Sequence, residues 1–92
     1  MKANYLVCYD IRDVKRLSSV FRFMKQRGIH IQYSVFYCRL TWEELIKLRE
    51  KLRDLINEKM DDIRIYPLPS DLKVVVMGRG DKIPEGVNIF LQ

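Results

Sequence analysis

Tyr5-Leu6-Val7-Cys8-Tyr9-Asp10-Ile11-Arg12-Asp13 decides how this chain reads. A continuous run of apolar and aromatic residues, with no polar alternation, describes a short strand covered on both faces. Asp10 then falls at its carboxyl end, where a loop begins. Asp13 stands just ahead of an amphipathic stretch as a candidate N-cap, which frees Asp10 from that duty. Val14, Leu17, Val20, Phe21 and Met24 share one helical face, and Lys15, Arg16, Arg22, Lys25 and Gln26 the other. Gly28 is the candidate C-cap. A strand that delivers a carboxylate to the start of a basic helix is suited to metal-assisted chemistry on phosphates.

Residues 29–40 are again β-formers, but twelve residues are long for one strand in so small a chain, so a hairpin bending near Gln32-Tyr33-Ser34 is expected. No Asn-Gly or Gly-Gly marks the bend. Thr41-Trp42-Glu43-Glu44 forms a capping box, and Leu45, Leu48, Leu52, Leu55 and Ile56 keep helical spacing to about Met60. Ile63 to Leu68 and Val74 to Met77 read as strands, separated by Pro67, Pro69, Ser70 and Asp71. Gly78, Gly80, Pro84 and Gly86 punctuate a loop before a last apolar strand from Val87 to Leu91. The expected fold is α+β, a ferredoxin-like βαββαβ sandwich with an extra C-terminal strand, one domain over residues 1–92. Its two helices cover one face of an antiparallel sheet, and the other face calls for a partner, which a second copy of the chain supplies.

Composition narrows the function classes. Of the 92 residues 48% are hydrophobic and 32% charged, which is globular composition. Residues 11–40 carry Arg12, Lys15, Arg16, Arg22, Lys25, Arg27 and Arg39 against Asp13 alone, a local charge of +6 within a net +5. The remainder is therefore close to neutral, and the excess is a footprint for nucleic acid on one part of the molecule. Met1-Lys2 leads straight into strand-like sequence, so no signal peptide is expected, and no run is long enough for a membrane helix. Cys8 and Cys38 sit inside apolar segments and read as buried reduced thiols. The expected location is cytoplasmic.

Candidate site residues carry a competing structural reading in each case. Asp10 is either a turn residue or a ligand; magnesium takes one or two carboxylates with water and phosphate, so a lone Asp suits it without completing a site. A second Asp10 across a two-fold axis is the economical completion. Arg12 and Arg16 lie nearest in sequence and are candidates for holding a phosphate, with Arg22, Lys25 and Arg27 tracking the backbone further along. Tyr9, Tyr33, Phe36 and Tyr37 carry faces on which bases stack, although strand aromatics are usually core. His30 has no ligand-spaced companion and reads as a surface strand residue; Asp61-Asp62 and Asp71 read as polar turns. No phosphate-binding glycine loop, nucleophile elbow or zinc pattern is present.

Taken together, Tyr5-Leu6-Val7-Cys8-Tyr9-Asp10-Ile11, the basic helix closing at Gly28, Gln32-Tyr33-Ser34-Val35-Phe36 and Ile63-Arg64-Ile65-Tyr66-Pro67-Leu68 resemble the small CRISPR-associated endonuclease family of the adaptation module. The resemblance spans nearly the whole chain, and its most specific parts are the strand ending Tyr-Asp and the Gln-x-Ser-Val-Phe segment, which brings Ser34 and Phe36 among the candidates. It implies a homodimer whose C-terminal strand crosses to the partner's sheet. It also implies one Asp10 from each subunit on a single divalent ion, Mg2+ or Mn2+, and cleavage of RNA or double-stranded DNA. A structural bridging role between CRISPR integrase subunits is implied as well, independent of cleavage. Tyr37 departs from the pattern, since many members carry Glu after Ser-Val-Phe. Three classes remain open from the residues: a metal-dependent hydrolase, a non-catalytic DNA-binding scaffold, and a small regulatory ferredoxin-like domain.

Overall fold

Alternation along the first strand sorts its side chains onto two unlike faces. In the computed structural model, which describes residues 1–78 and 88–91, this strand is β1 (Ala3–Asp10). Val7 and Tyr9 are buried toward the helices, whereas Leu6 and Cys8 point the other way and stay half-exposed. The apolar run is therefore continuous because each face has its own apolar demand, and among the described residues only the helix side of β1 is fully covered.

Asp13 caps α1 (Val14–Lys25) as expected, its carboxylate accepting the Arg16 N–H at 3.0 Å. The helix closes at Gln26, not at Gly28. Gly28 has another use: a Cβ there would lie 2.6 Å from Cys38 Sγ and 2.6 Å from the Tyr37 carbonyl oxygen, so only glycine lets the chain leave the helix this close to the sheet. Val20 and Met24 are buried, but Val14 is 76% exposed and Leu17 is also exposed, so the expected apolar face is only partly a core face.

β2 (Ile29–Gln32) and β3 (Val35–Leu40) form the hairpin, with Tyr33 and Ser34 at its tip and Tyr33 at φ 40. α2 (Trp42–Leu55) starts with the Thr41–Glu44 capping box. It stops short of Met60 because Asn57 offers a rival turn, its side chain accepting the Lys59 N–H at 3.0 Å and its carbonyl the Asp61 N–H at 2.8 Å. β4 (Asp62–Leu68) follows, then β5 (Lys73–Val76) and β6 (Asn88–Leu91).

The main sheet is antiparallel in the order β2-β3-β1-β4, the ferredoxin-like arrangement. Val7, Val20, Met24, Phe36 and Cys38 are its fully buried centre, closed by Leu45, Leu48 and Leu52 of α2. Beyond the βαββαβ unit lie two strands, both at segments that read as strands in the sequence although the expected fold counts a single extra one, and β5 pairs in parallel with β6 as a separate ribbon. Gly80, Pro84, Gly86 and Val87 lie outside the described residues.

Candidate metal and nucleic-acid site

Asp10 is exposed at the carboxyl end of β1, and no hydrogen bond or ion pair engages its carboxylate among the described residues. Its cross-strand partner on β4 is Asp62, so two like charges stand directly opposite on the sheet face away from the helices. Asp62 is answered by Arg64, whose Nε donates to its Oδ2 at 3.0 Å. Asp10 is left without such relief. Its oxygens are hard donors of the kind Mg2+ or Mn2+ takes, so the residue fits a divalent ion. Among the described residues no group of three or more metal-ligating side chains occurs, so one protomer offers a partial site. Asp62 is not the turn residue its sequence setting suggests; it opens a strand, and register alone brings it to Asp10.

Asp61 has a different task. Its side chain is wholly excluded from solvent, and its two oxygens accept four hydrogen bonds. Oδ1 takes the Arg12 N–H at 2.9 Å and Arg16 Nη2 at 3.1 Å; Oδ2 takes Arg16 Nε at 2.7 Å and the Asn57 N–H at 2.9 Å. The Arg16 guanidinium, with help from the Arg12 and Asn57 amides, holds the Asp61 carboxyl well below the usual carboxylate range against the opposing effect of desolvation. Arg16 in turn is raised above its ordinary value, chiefly by Asp61. This latch ties the loop after Asp10 to the turn before β4, and it occupies donors of Arg16 that the sequence suggests for phosphate. No local signal reveals it, because the Arg16–Asp61 pair spans 45 residues.

Lys15, Ser18, Arg22 and Lys25 follow one another along the exposed side of α1. Lys15, Arg22, Lys25 and the Arg12 side chain form no ion pair among the described residues, so their charge is available to a ligand. Arg27 is more committed, lying 3.9 Å over the Phe23 ring while Nη1 donates to the Phe23 carbonyl at 3.2 Å.

The aromatic candidates separate by burial. Phe36 is fully buried and packs against Tyr9, Phe21 and His30 at ring-centroid distances of 6.3, 5.7 and 4.9 Å. Tyr9 is buried too; burial pushes its phenol up, opposed by a hydrogen bond to Ser34, whose carbonyl also accepts the Tyr9 N–H at 3.1 Å. Tyr37 is buried and its hydroxyl donates to Asn4 Oδ1 at 2.8 Å. It pairs with Leu6, four residues along β1 from Asp10, or roughly 13 Å at strand rise, so its departure from Glu lies away from the Asp10 end of this protomer. Tyr33 alone of the four is open to solvent, 89% exposed. His30 is no surface residue: its ring is half-buried in the aromatic cluster, and Nε2–H donates to the Tyr33 carbonyl at 2.6 Å. Both cysteines are free, and burial pushes the Cys38 thiol up to about 11. Cys8 differs from the expectation of a buried thiol, being half-exposed on the open face.

The sequence model of the CRISPR associated protein Cas2 family matches residues 3–73, the whole βαββαβ unit with its site. The chain belongs to the Cas2 family. Among Cas2 relatives, a CRISPR-associated endoribonuclease of Thermodesulfovibrio yellowstonii is 56% identical over 90 residues, 98% of this chain and 99% of the relative. A solved structure of a hypothetical protein from Thermus thermophilus superposes with a TM-score of 0.79 at 38% identity, covering 87% of this chain and 95% of that one. Streptococcus pyogenes Cas2 superposes with a TM-score of 0.68 at 35% identity, over 72% of this chain and 86% of that one. No helix among the described residues is long and apolar enough to cross a membrane.

Proposed function

We propose that this Cas2 family protein is a cytoplasmic metal-dependent endonuclease that hydrolyses phosphodiesters of RNA or double-stranded DNA as a two-fold homodimer, acting in spacer acquisition beside CRISPR integrase subunits. The observation that carries this reading is Asp10: an exposed carboxylate, unpartnered among the described residues, at the end of the central strand and just ahead in the chain of α1, whose Lys15, Arg22 and Lys25 no carboxylate engages among the described residues. The dimer is supported by the sheet face away from the helices. There Leu6, Cys8, Val35 and Leu68 are only half-covered, and Ile29 and Tyr66 are exposed.

In that dimer Asp10 and its symmetry mate hold Mg2+ or Mn2+ jointly. The bound ion supplies electrostatic stabilisation of the charge that grows on the phosphate oxygens. The chain's own residues do the rest. Arg12, Lys15, Arg22 and Lys25 bind flanking phosphates and orient the backbone. Asp61 fixes the Arg12 amide and the Arg16 guanidinium, so the loop that follows Asp10 keeps one conformation as substrate arrives. A non-catalytic scaffold that bridges integrase dimers through the same cations is supported by one observation, that among the described residues a protomer offers Asp10 with no further free carboxylate beside it.

Labelled RNA and duplex DNA, incubated with and without Mg2+, separate the two readings when the parent is compared with Asp10→Asn. The hydrolase reading expects Mg2+-dependent cleavage that the variant abolishes. It also expects Mg2+ to raise the melting temperature of the parent and not of the variant, while the metal-free variant melts no lower, because the Asp10–Asp62 repulsion is gone. Cleavage by the variant at the parental rate would assign the activity elsewhere. A sedimenting monomer at micromolar concentration would remove the shared ion site.

A further inference from the structure

Beside α1 and the β2–β3 tip lies a groove of about 920 Å³ whose lining includes Val14, Lys15, Leu17, Phe21, Arg22 and Tyr33. No carboxylate among the described residues lines it. Three features of Tyr33 are unfavourable to the isolated chain and agree with one another. Its φ of 40 is the left-handed region that glycine and asparagine enter readily and a bulky aromatic enters at a cost. The residue is 89% exposed. It stands beside Val14 and Leu17, which α1 also leaves in solvent. The turn is nevertheless pinned, by His30 donating to the Tyr33 carbonyl at 2.6 Å and by the Tyr9 N–H donating to the Ser34 carbonyl at 3.1 Å.

We propose that this groove receives an unpaired nucleobase stacked on the Tyr33 ring, so that the protein holds single-stranded nucleic acid here and duplex only through its phosphates. The inference rests on the nucleic-acid reading above and adds to it the groove and the residue that hold a base. Charge complementarity selects the occupant: a largely apolar lining that carries two cations and, among the described residues, no anion matches a flat base carried on a phosphate backbone. A base held in a duplex keeps its faces stacked on its neighbours and has none to offer Tyr33. An unpaired base offers a face of any sequence, so the grip discriminates by strandedness and not by base identity.

Fluorescence anisotropy with labelled oligo(U) of roughly 10 nucleotides and with a duplex of similar length tests this. Tyr33→Asn suits the left-handed backbone, so it preserves the turn while removing the ring. The expected result is oligo(U) binding weakened by about fivefold or more, duplex binding unchanged, and single-strand affinity restored by Tyr33→Trp. Unchanged oligo(U) affinity in Tyr33→Asn overturns the stacking proposal while leaving the phosphate reading intact. An equal loss for both ligands, or a change in oligomeric state, also overturns it, the latter by giving the ring to a contact between copies. If the parent binds neither ligand at low salt, the nucleic-acid reading itself fails.

Discussion

Neutralising Arg22 and Lys25 together, as Arg22→Gln with Lys25→Gln, tests whether the α1 stripe touches phosphates. Neither side chain pairs with a carboxylate among the described residues, so the change removes ligand-facing charge and no internal ion pair. Lys25 also sits 5.9 Å over the Phe21 ring, a cation–π contact of small worth at an exposed site. Each phosphate that a cation neutralises on duplex DNA contributes about 0.9 to the slope of log K against log salt, so removing two such cations makes the slope shallower by roughly 1.8 per protomer. Over a fourfold rise in salt the parent should then lose about twelvefold more affinity than the variant. Glutamine keeps helix propensity close to that of arginine and lysine, and the last turn loses only a modest dipole term, so the fold should hold. Titrating labelled duplex at several salt concentrations reads the slope directly. An unchanged slope with a folded variant would return this helix face to ordinary solvated surface, whatever the affinity at any single salt.

Gly28→Ala places a methyl 2.6 Å from Cys38 Sγ and from the Tyr37 carbonyl oxygen, and the carbonyl is backbone that cannot swing aside. The expected cost is about 1–3 kcal/mol, seen in calorimetry as a melting temperature lower by about 4–8 °C per kcal/mol; an unchanged melting temperature would refute the close-approach account. Asp61→Asn replaces one acceptor oxygen with a donor facing Arg12, Arg16 and Asn57, so the variant should melt lower at neutral pH. Because Asp61 is depressed below its ordinary value, its contribution is complete above roughly pH 4 and fades as pH falls further, so the two melting curves should converge there; parallel curves through acid pH would mean the latch does not titrate with folding.

Features that depend on neighbours within a turn or two are legible in the sequence. The Asp13 cap and the Thr41–Glu44 box follow from short spacings, the bend near Gln32-Tyr33-Ser34 follows from the length of the β-forming stretch, and each is present. The end of α2 is hidden because Leu55 and Ile56 keep the apolar period up to the point where Asn57 begins a competing turn. Val14 and Leu17 carry the right period for a core face, but α1 turns that edge of its stripe to solvent. The two acidic neighbours Asp61 and Asp62 look alike as a polar turn, yet successive side chains diverge: one seals a loop and the other faces Asp10 across strands. Only pairing of β4 with β1 creates that difference, and pairing is not written in either segment alone.

That same alternation separates the two halves of the candidate site. Tyr9 turns toward the helices and, through Ser34, supports the hairpin tip that displays Tyr33; Asp10, the next residue, turns to the opposite face. The groove proposed to hold a base and the carboxylate proposed to hold a metal therefore lie on two sides of one strand end, at neighbouring residues of the chain. A duplex, stiff and with its bases internal, can meet the cations of α1 without bending around that edge. A single strand is flexible enough to seat a base beside Tyr33 and continue around the end of β1 toward Asp10. The proposed functions then make different demands on one surface: scaffolding needs only the cation stripe, whereas cleavage of a single strand needs the stripe, the groove and Asp10 in series. Loss of Tyr33 should accordingly slow any cleavage of single-stranded RNA in step with its binding, and leave the binding of duplex DNA untouched.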